Sequence, residues 1–256
     1  MTIPQYSYGP LEARYYDATY ALLRDPAGDA AFYLALARET GGPVLELGCG
    51  TGRVLLPIAR AGIAAVGVDR SAEMLAVLRK KAPPTTLRLV PASMTDFDLG
   101  PERFRLVFSA FRALQHLCSV DEQLACLARV RRHLAPDGLF AFDVFSPDLR
   151  RLADPDIAEQ EDARFADDGD EVIRYVRTVP DPAAQVIQVR FRYERRRGER
   201  VMGDDVVEIP MRWFTRWELE HLLARAGFAI VACYGGFDRR PYDRTAPDIV
   251  VVARAA

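Results

Sequence analysis

Val44-Leu45-Glu46-Leu47-Gly48-Cys49-Gly50-Thr51-Gly52-Arg53 is the stretch whose reading decides the fold. It begins as a short apolar run, the pattern of a strand buried on both faces. It continues into three alternating glycines, which let the chain turn sharply and let a ligand touch the backbone. A helical period follows, and the first turn of a helix offers free N–H groups. Strand, glycine turn and helix start, in that order, make a place where main chain can hold a ligand.

Working outward, further apolar runs at 64–68, 87–90, 106–108 and 139–144 alternate with stretches of helical period. Ser71 is placed to cap a helix carrying Met74, Leu75 and Leu78, and Ser119 with Glu122 fits a capping box. Pro136-Asp137-Gly138 reads as a turn into the strand at 139–144. This alternation predicts a doubly wound α/β sheet. After Phe145 the pattern changes. Residues 146–169 are polar and acidic and read as a loop with some helix. Strand-like runs follow at 172–179, 186–195 and 206–214. The second alternates with period two, as expected of an antiparallel strand with one wet face. Arg195 to Arg200 reads as a hairpin tip. Thr215 and Glu218 form another capping box, Gly227 ends that helix, and 229–234 with 249–253 read as a final strand pair.

The chain has 256 residues, half of them hydrophobic, enough for one large domain. Its expected parts are N-terminal helices (1–40), a ligand-binding core (41–145), a β insertion (146–214), and a final helix and strand pair (215–256). A formal charge of −2 exerts no general pull toward nucleic acid or an anionic membrane. The cysteines (Cys49, Cys118, Cys126, Cys233) and histidines (His116, His133, His221) lack zinc spacing, so no metal is expected. A disulfide framework is not expected in a chain this size, which suits a reducing, cytoplasmic setting. The N-terminal stretch has no apolar core segment of a signal peptide. No run of about 18 apolar residues reads as a membrane span.

The glycine loop could cradle a dinucleotide or S-adenosylmethionine (SAM). The dinucleotide fingerprint G-x-G-x-x-G would place its last glycine at position 53, which is Arg53. Glu46 inside the strand suits a cationic amino group such as that of SAM. The next strand ends in Val66-Gly67-Val68-Asp69, and an acidic residue there is placed to accept both ribose hydroxyls of an adenosine. The plain alternative for Asp69 is a helix-start residue favoured by the dipole.

E-L-G-C-G-T-G followed by G-V-D-x-S-x-x-M-L resembles the opening motifs of the class I SAM-dependent methyltransferases, most closely over 44–144. The resemblance implies a Rossmann-like seven-stranded sheet of order 3-2-1-4-5-7-6, with the antiparallel insertion after the fifth strand. It implies Gly48, Gly50 and Gly52 under the methionine portion of SAM, Glu46 near its amino group, and loop contacts from Cys49 and Thr51. Asp69 would hold the ribose, with Arg70 and Met74 around the adenine. Family members often have an acidic residue before Met at the third motif; here Ser93 precedes Met94, with Asp96 as a fallback partner. Ala110 and Phe111, after the fourth strand, would close over the sulfonium.

Methyl transfer from a sulfonium needs alignment and desolvation more than bond-making groups. A base is needed only when the acceptor arrives protonated. His116 is the first candidate, with a packed helix-edge histidine as the plainer reading. His221 and His133 are assigned no chemistry. Arg14-Tyr15-Tyr16-Asp17-Ala18-Thr19-Tyr20 is similar to the Y-D-x-x-Y lead-in of small-molecule methyltransferases, amino-sugar N-methyltransferases among them. That likeness puts Tyr16 nearest the methyl group and Tyr20 on the acceptor side; the plain alternative is an amphipathic helix. Trp213, Phe214 and Trp217 form either core or an aromatic wall over the acceptor, which Tyr175 and Tyr193 could join. Arg112 meets an acidic acceptor group or is simply solvated. The expected function is methylation of N or O of a small metabolite, with a homodimer contact through the insertion. A SAM sensor without catalysis and a nicotinamide-dependent oxidoreductase are the rivals.

Overall fold

A computed structural model of the chain describes residues 6–23, 26–153 and 157–256. Helices α1 (Pro10–Leu23) and α2 (Pro26–Thr40) precede β1 (Val44–Leu47). Then follow α3 (Leu55–Arg60), β2 (Ala65–Asp69), α4 (Ala72–Lys80), β3 (Leu87–Pro91) and β4 (Phe104–Ser109). A 3-10 turn (Ala113–His116) and α5 (Val120–His133) lead into β5 (Leu134–Phe145). The insertion comprises α6 (Leu149–Ala153), β6 (Gln160–Asp167), β7 (Asp170–Asp181), β8 (Val186–Arg197) and β9 (Arg200–Arg212). Helix α7 (Arg216–Arg225), β10 (Phe228–Tyr234) and β11 (Asp248–Ala255) complete the chain.

The main sheet has seven strands in the order β10-β11-β5-β4-β1-β2-β3. This is the expected 3-2-1-4-5-7-6 arrangement, since β10 and β11 are its sixth and seventh strands. β1 pairs in parallel with β2 and β4, and β11 runs antiparallel to β5. Every residue of β1 is buried, Glu46 among its apolar neighbours included. One face packs against α5 and α7 through Leu127, Val130, Leu219 and Leu223. The other packs against α2, α3 and α4 through Phe32, Leu36, Ile58, Leu75 and Leu78. Ser71 caps α4 by accepting from the Met74 amide, and Ser119 and Thr215 close capping boxes with Glu122 and Glu218.

Two expectations need correction. The turn at 136–138 is a bulge inside β5: pairing with β4 jumps from Phe104↔Leu134 to Leu106↔Leu139, so the intervening residues loop out of the ladder. The second sheet has four strands, β6-β7-β8-β9, because part of the polar stretch 146–169 is strand β6. β6 is an edge strand, so its outward Gln160, Glu161 and Arg164 remain exposed, and their polarity concealed it. The signal was the dipeptide Asp168-Gly169, whose φ values of 50 and 81 form the tight hairpin joining β6 to β7.

Helix α1 sits on both sheets. Tyr15 is buried between Phe165 of β6 and Tyr193 of β8, at centroid distances of 5.3 and 5.4 Å. Asp17 accepts from Thr51 Oγ1 at 2.7 Å and pairs with Lys81 Nζ at 2.7 Å. Ser71 Oγ donates to the Tyr8 carbonyl at 2.7 Å. The N-terminal segment is thereby tied to the glycine turn.

Candidate active site

The C-terminal ends of β1, β2 and β4 open on one edge of the sheet, where α/β folds bind ligands. At the end of β1, Gly48 turns with φ 71, and a Cβ there would lie 2.8 Å from Ala113 Cβ. The Gly50 amide donates to Asp69 Oδ2 at 2.7 Å, and the Ser71 amide to Oδ1 at 2.8 Å. Both carboxylate oxygens are thereby fixed, and each keeps a lone pair for a further donor. Burial raises the Asp69 carboxyl, while these two amides hold it down. Gly52 does not line the cleft; at φ 79 it packs its turn against Leu78.

The cleft that results is lined by Glu46, Gly48, Cys49, Gly50 and Thr51, then by Asp69, Arg70 and Met74. Ser93 and Met94 line another wall, and Ala110, Phe111, Tyr16 and His116 close the far end. Glu46 is 3 % exposed, and among the described residues no group hydrogen-bonds its Oε2. Burial pushes its carboxyl well above the usual range. Burial also raises the Cys49 thiol, which stays protonated. The Ser93 hydroxyl shares a 2.8 Å hydrogen bond with Thr95 Oγ1. Asp96 is exposed and does not line the cleft, so it is not a fallback partner.

A second cleft lies between the sheet edge and the insertion. Tyr20, Phe111, Arg112, His116 and Phe145 form its floor, and the inner face of β7, β8 and β9 forms its wall. Tyr8, Phe111 and His116 line both clefts. His116 Nε2 lies 3.2 Å from the Tyr8 hydroxyl. Burial pulls His116 down to about 4, against the opposing effect of the Pro210 carbonyl. It is therefore uncharged near neutral pH. Burial likewise pushes the Tyr8 and Tyr16 hydroxyls well above their ordinary value, so both remain phenols. Tyr16 packs on Tyr20 at 4.6 Å, and Tyr20 on Phe111 at 4.7 Å.

The proposed aromatic wall does not assemble. Trp213 lines neither cleft, Phe214 is fully buried in the core, and Trp217 is 70 % exposed. They sit where a strand gives way to a helix, so successive side chains diverge. Tyr193 packs under Tyr15, and Tyr175 lies beneath the Arg192 guanidinium. Arg112 lines the second cleft, but it pairs with Asp248 at 3.0 Å. An acidic acceptor group is therefore not needed to balance it.

Three residues escaped the sequence reading. Tyr8 sits ahead of the Pro10 helix start, where Tyr6 and Tyr8 were a visible aromatic pair. Arg53 lines the first cleft, paired with the buried Asp29 of α2 and stacked on Phe111 at 4.8 Å. Asp143 is fully buried in β5, and its signal was a lone carboxylate inside an apolar run. Its Oδ1 accepts from the Tyr33 hydroxyl and the Phe111 amide, each at 2.8 Å, and its Oδ2 from the Arg112 amide at 3.1 Å. It thereby props the corner where Phe111 and Arg112 take φ 56 and 64. Such left-handed backbone in non-glycine residues marks a built feature.

The first cleft fits SAM by its own chemistry. Glu46 Oε2, which no group hydrogen-bonds among the described residues, suits an ammonium group. The free lone pairs of Asp69 suit vicinal hydroxyls, and the open backbone at Gly50 leaves room for a ligand. Fold and cleft together define a class I SAM-binding methyltransferase. Residues 44–138 match the family described as "Methyltransferase domain". The solved CcbJ methyltransferase from Streptomyces caelestis is 31% identical, with 91% of this chain and 97% of that one covered and a TM-score of 0.77. A dTDP-3-amino-3,6-dideoxy-alpha-D-glucopyranose N,N-dimethyltransferase from Streptomyces fradiae is 34% identical over 140 residues, which is 53% of this chain and 54% of the relative. With this curated relative, the match spans about half of its length. The cypemycin N-terminal methyltransferase from Streptomyces sp is 24% identical over 93% of both chains. This chain belongs to the class I SAM-dependent methyltransferases, whose cofactor is SAM. The nicotinamide alternative falls with that membership.

Proposed function

We propose that this chain transfers a methyl group to the nitrogen of a small-molecule amine, an amino sugar or a comparable metabolite. One observation carries the reading: the two clefts meet at Tyr8, Phe111 and His116. The named acceptors of the Streptomyces relatives are themselves amines, which supports nitrogen over oxygen. SAM, when bound, supplies a methyl group on an already activated sulfonium. Glu46 and Asp69 would hold it by its amino group and ribose, leaving the junction free for the acceptor.

An aliphatic amine reacts through its lone pair and must reach the junction uncharged. The groups there favour that form. Tyr8, Tyr16 and His116 carry no charge near neutral pH, and a desolvated site penalises an ammonium. The neutral imidazole acts as a hydrogen-bond partner that orients the amine, more than as a proton carrier, because its affinity for a proton is low. The faces of Tyr16, Tyr20 and Phe111 suit the cationic charge shared between donor and acceptor during transfer.

The wider partner claims belong to this proposal too: a small molecule in place of nucleic acid or membrane, and a homodimer through the insertion sheet. No described helix is long and apolar enough to cross a membrane, and among the described residues no group of metal-ligating side chains is found. Light scattering reads the oligomeric state directly. The function itself is tested with methyl-labelled SAM and a pool of primary and secondary amines. Label on nitrogen with matching S-adenosylhomocysteine is expected. SAM binding without turnover on any acceptor would leave the sensor reading standing instead.

A further inference from the structure

The wall of the acceptor cleft is an apolar grid three strands wide. Strand register sets Val176 beside Phe191, Val189 beside Ile209, and Ile187 beside Met211. All six line the cleft. The alternation of β8 sends Ile187, Val189 and Phe191 to this side and Gln188, Arg190 and Arg192 to the other. The arginines of the opposite face are spent on ion pairs with Glu159, Glu194 and Asp204.

Cations do line the cleft, but two of them are engaged. Arg174 gives Nε and one terminal nitrogen to both oxygens of Asp162, at 2.9 and 2.8 Å, and lies over the Phe191 ring at 4.2 Å. The fork that would grip a phosphate is therefore filled. Arg112 pairs with Asp248. Among the described residues the remaining lining arginine, Arg151, stands exposed on α6, where water screens its charge. The only lysines of the chain, Lys80 and Lys81, end α4 and do not line this cleft. A nucleoside diphosphate brings at least two negative charges, and burying them without partners is costly.

We propose that the acceptor carries its amine on an uncharged, largely apolar scaffold, and not on a nucleotide or other phosphorylated carrier. This rests on the methyl-transfer reading above. The sheet face binds the scaffold by burying apolar surface, while the amine reaches toward His116 and Tyr8. Selection against a phosphorylated competitor follows because, among the described lining residues, no buried cation is left without a carboxylate partner.

Two probes alike at the reacting end test this: the phenyl glycoside of an amino sugar, and the nucleoside diphosphate conjugate of the same sugar. Turnover is read as S-adenosylhomocysteine formed, and binding by calorimetry on protein saturated with S-adenosylhomocysteine. The phenyl glycoside is expected to lead by about tenfold or more in Kd, and in kcat/KM where both react. Ile187→Ser combined with Met211→Ser, which removes apolar wall without adding charge, should shrink that lead and leave SAM affinity within about twofold. A nucleotide conjugate that binds equally or better overturns the proposal, as does failure of both probes to bind at millimolar concentration. Failure of SAM itself to bind would instead remove the methyl-transfer reading, so the two failures are distinguishable.

Discussion

The two clefts share Tyr8, Phe111 and His116 and are otherwise made of different material. The first cleft takes its shape from main-chain turns: a left-handed turn at Gly48, the Gly50 amide on Asp69, and strand ends set by the parallel sheet. The second cleft, which we propose takes the acceptor, is walled by side chains of a separate antiparallel sheet. A constant cofactor can be held by backbone geometry that few substitutions reach. A variable acceptor is met by side chains that can change one at a time without moving the strand ends. The residue that couples the regions is Asp143, because its carboxylate fixes the corner facing both.

Removing that coupling should have the largest effect. Asp143→Ala leaves the Phe111 and Arg112 amides and the Tyr33 hydroxyl without this acceptor, and is expected to cost about 3–5 kcal/mol in urea unfolding. Tyr33→Phe, which removes one donor only, should cost about 1 kcal/mol. Equal costs would mean that the corner is not held by the carboxylate. Next, Gly48→Val should act chiefly on the cofactor side, at the turn after β1. A left-handed φ and the Ala113 contact together cost about 3 kcal/mol, on the order of a hundredfold in SAM Kd by titration.

A smaller effect is expected at the junction. The unfolded imidazole of His116 takes its proton near 6.5, and the folded one near 4. Between those values the unfolded state binds more protons, so this contribution to stability is present at pH 7.5 and declines as pH falls toward 4. By pH 5.0 wild type should have lost about 2 kcal/mol more than His116→Gln, measured by urea unfolding of both. Parallel curves would contradict the buried, neutral histidine. Least of all, Lys81→Met removes a partly exposed pair with Asp17. It should cost under about 1 kcal/mol and speed SAM release only a few-fold, read by stopped flow.

The same contrast explains what could be read in advance. Glu46, the glycines and Asp69 announce themselves because backbone turns demand particular residues at particular spacings. The strand order came with that resemblance. The acceptor wall had no such signature. Ile187 and Met211 are ordinary strand residues, and only the register between β8 and β9 makes them neighbours. Trp213, Phe214 and Trp217 looked like a cluster because they are close in sequence, yet they diverge at a strand-to-helix junction. β6 was concealed by edge polarity despite the Asp168-Gly169 turn. Asp143 was legible in principle, as a charge inside an apolar run that had to find partners.

The most direct test is calorimetric titration of SAM into wild type and Asp69→Ala. Wild type should bind at one site per chain, and the variant should bind more weakly by about 1–3 kcal/mol, the cost of leaving vicinal hydroxyls without their acceptor. Equal affinity in both proteins would show that SAM is not held between the Gly50 turn and the Asp69 carboxylate.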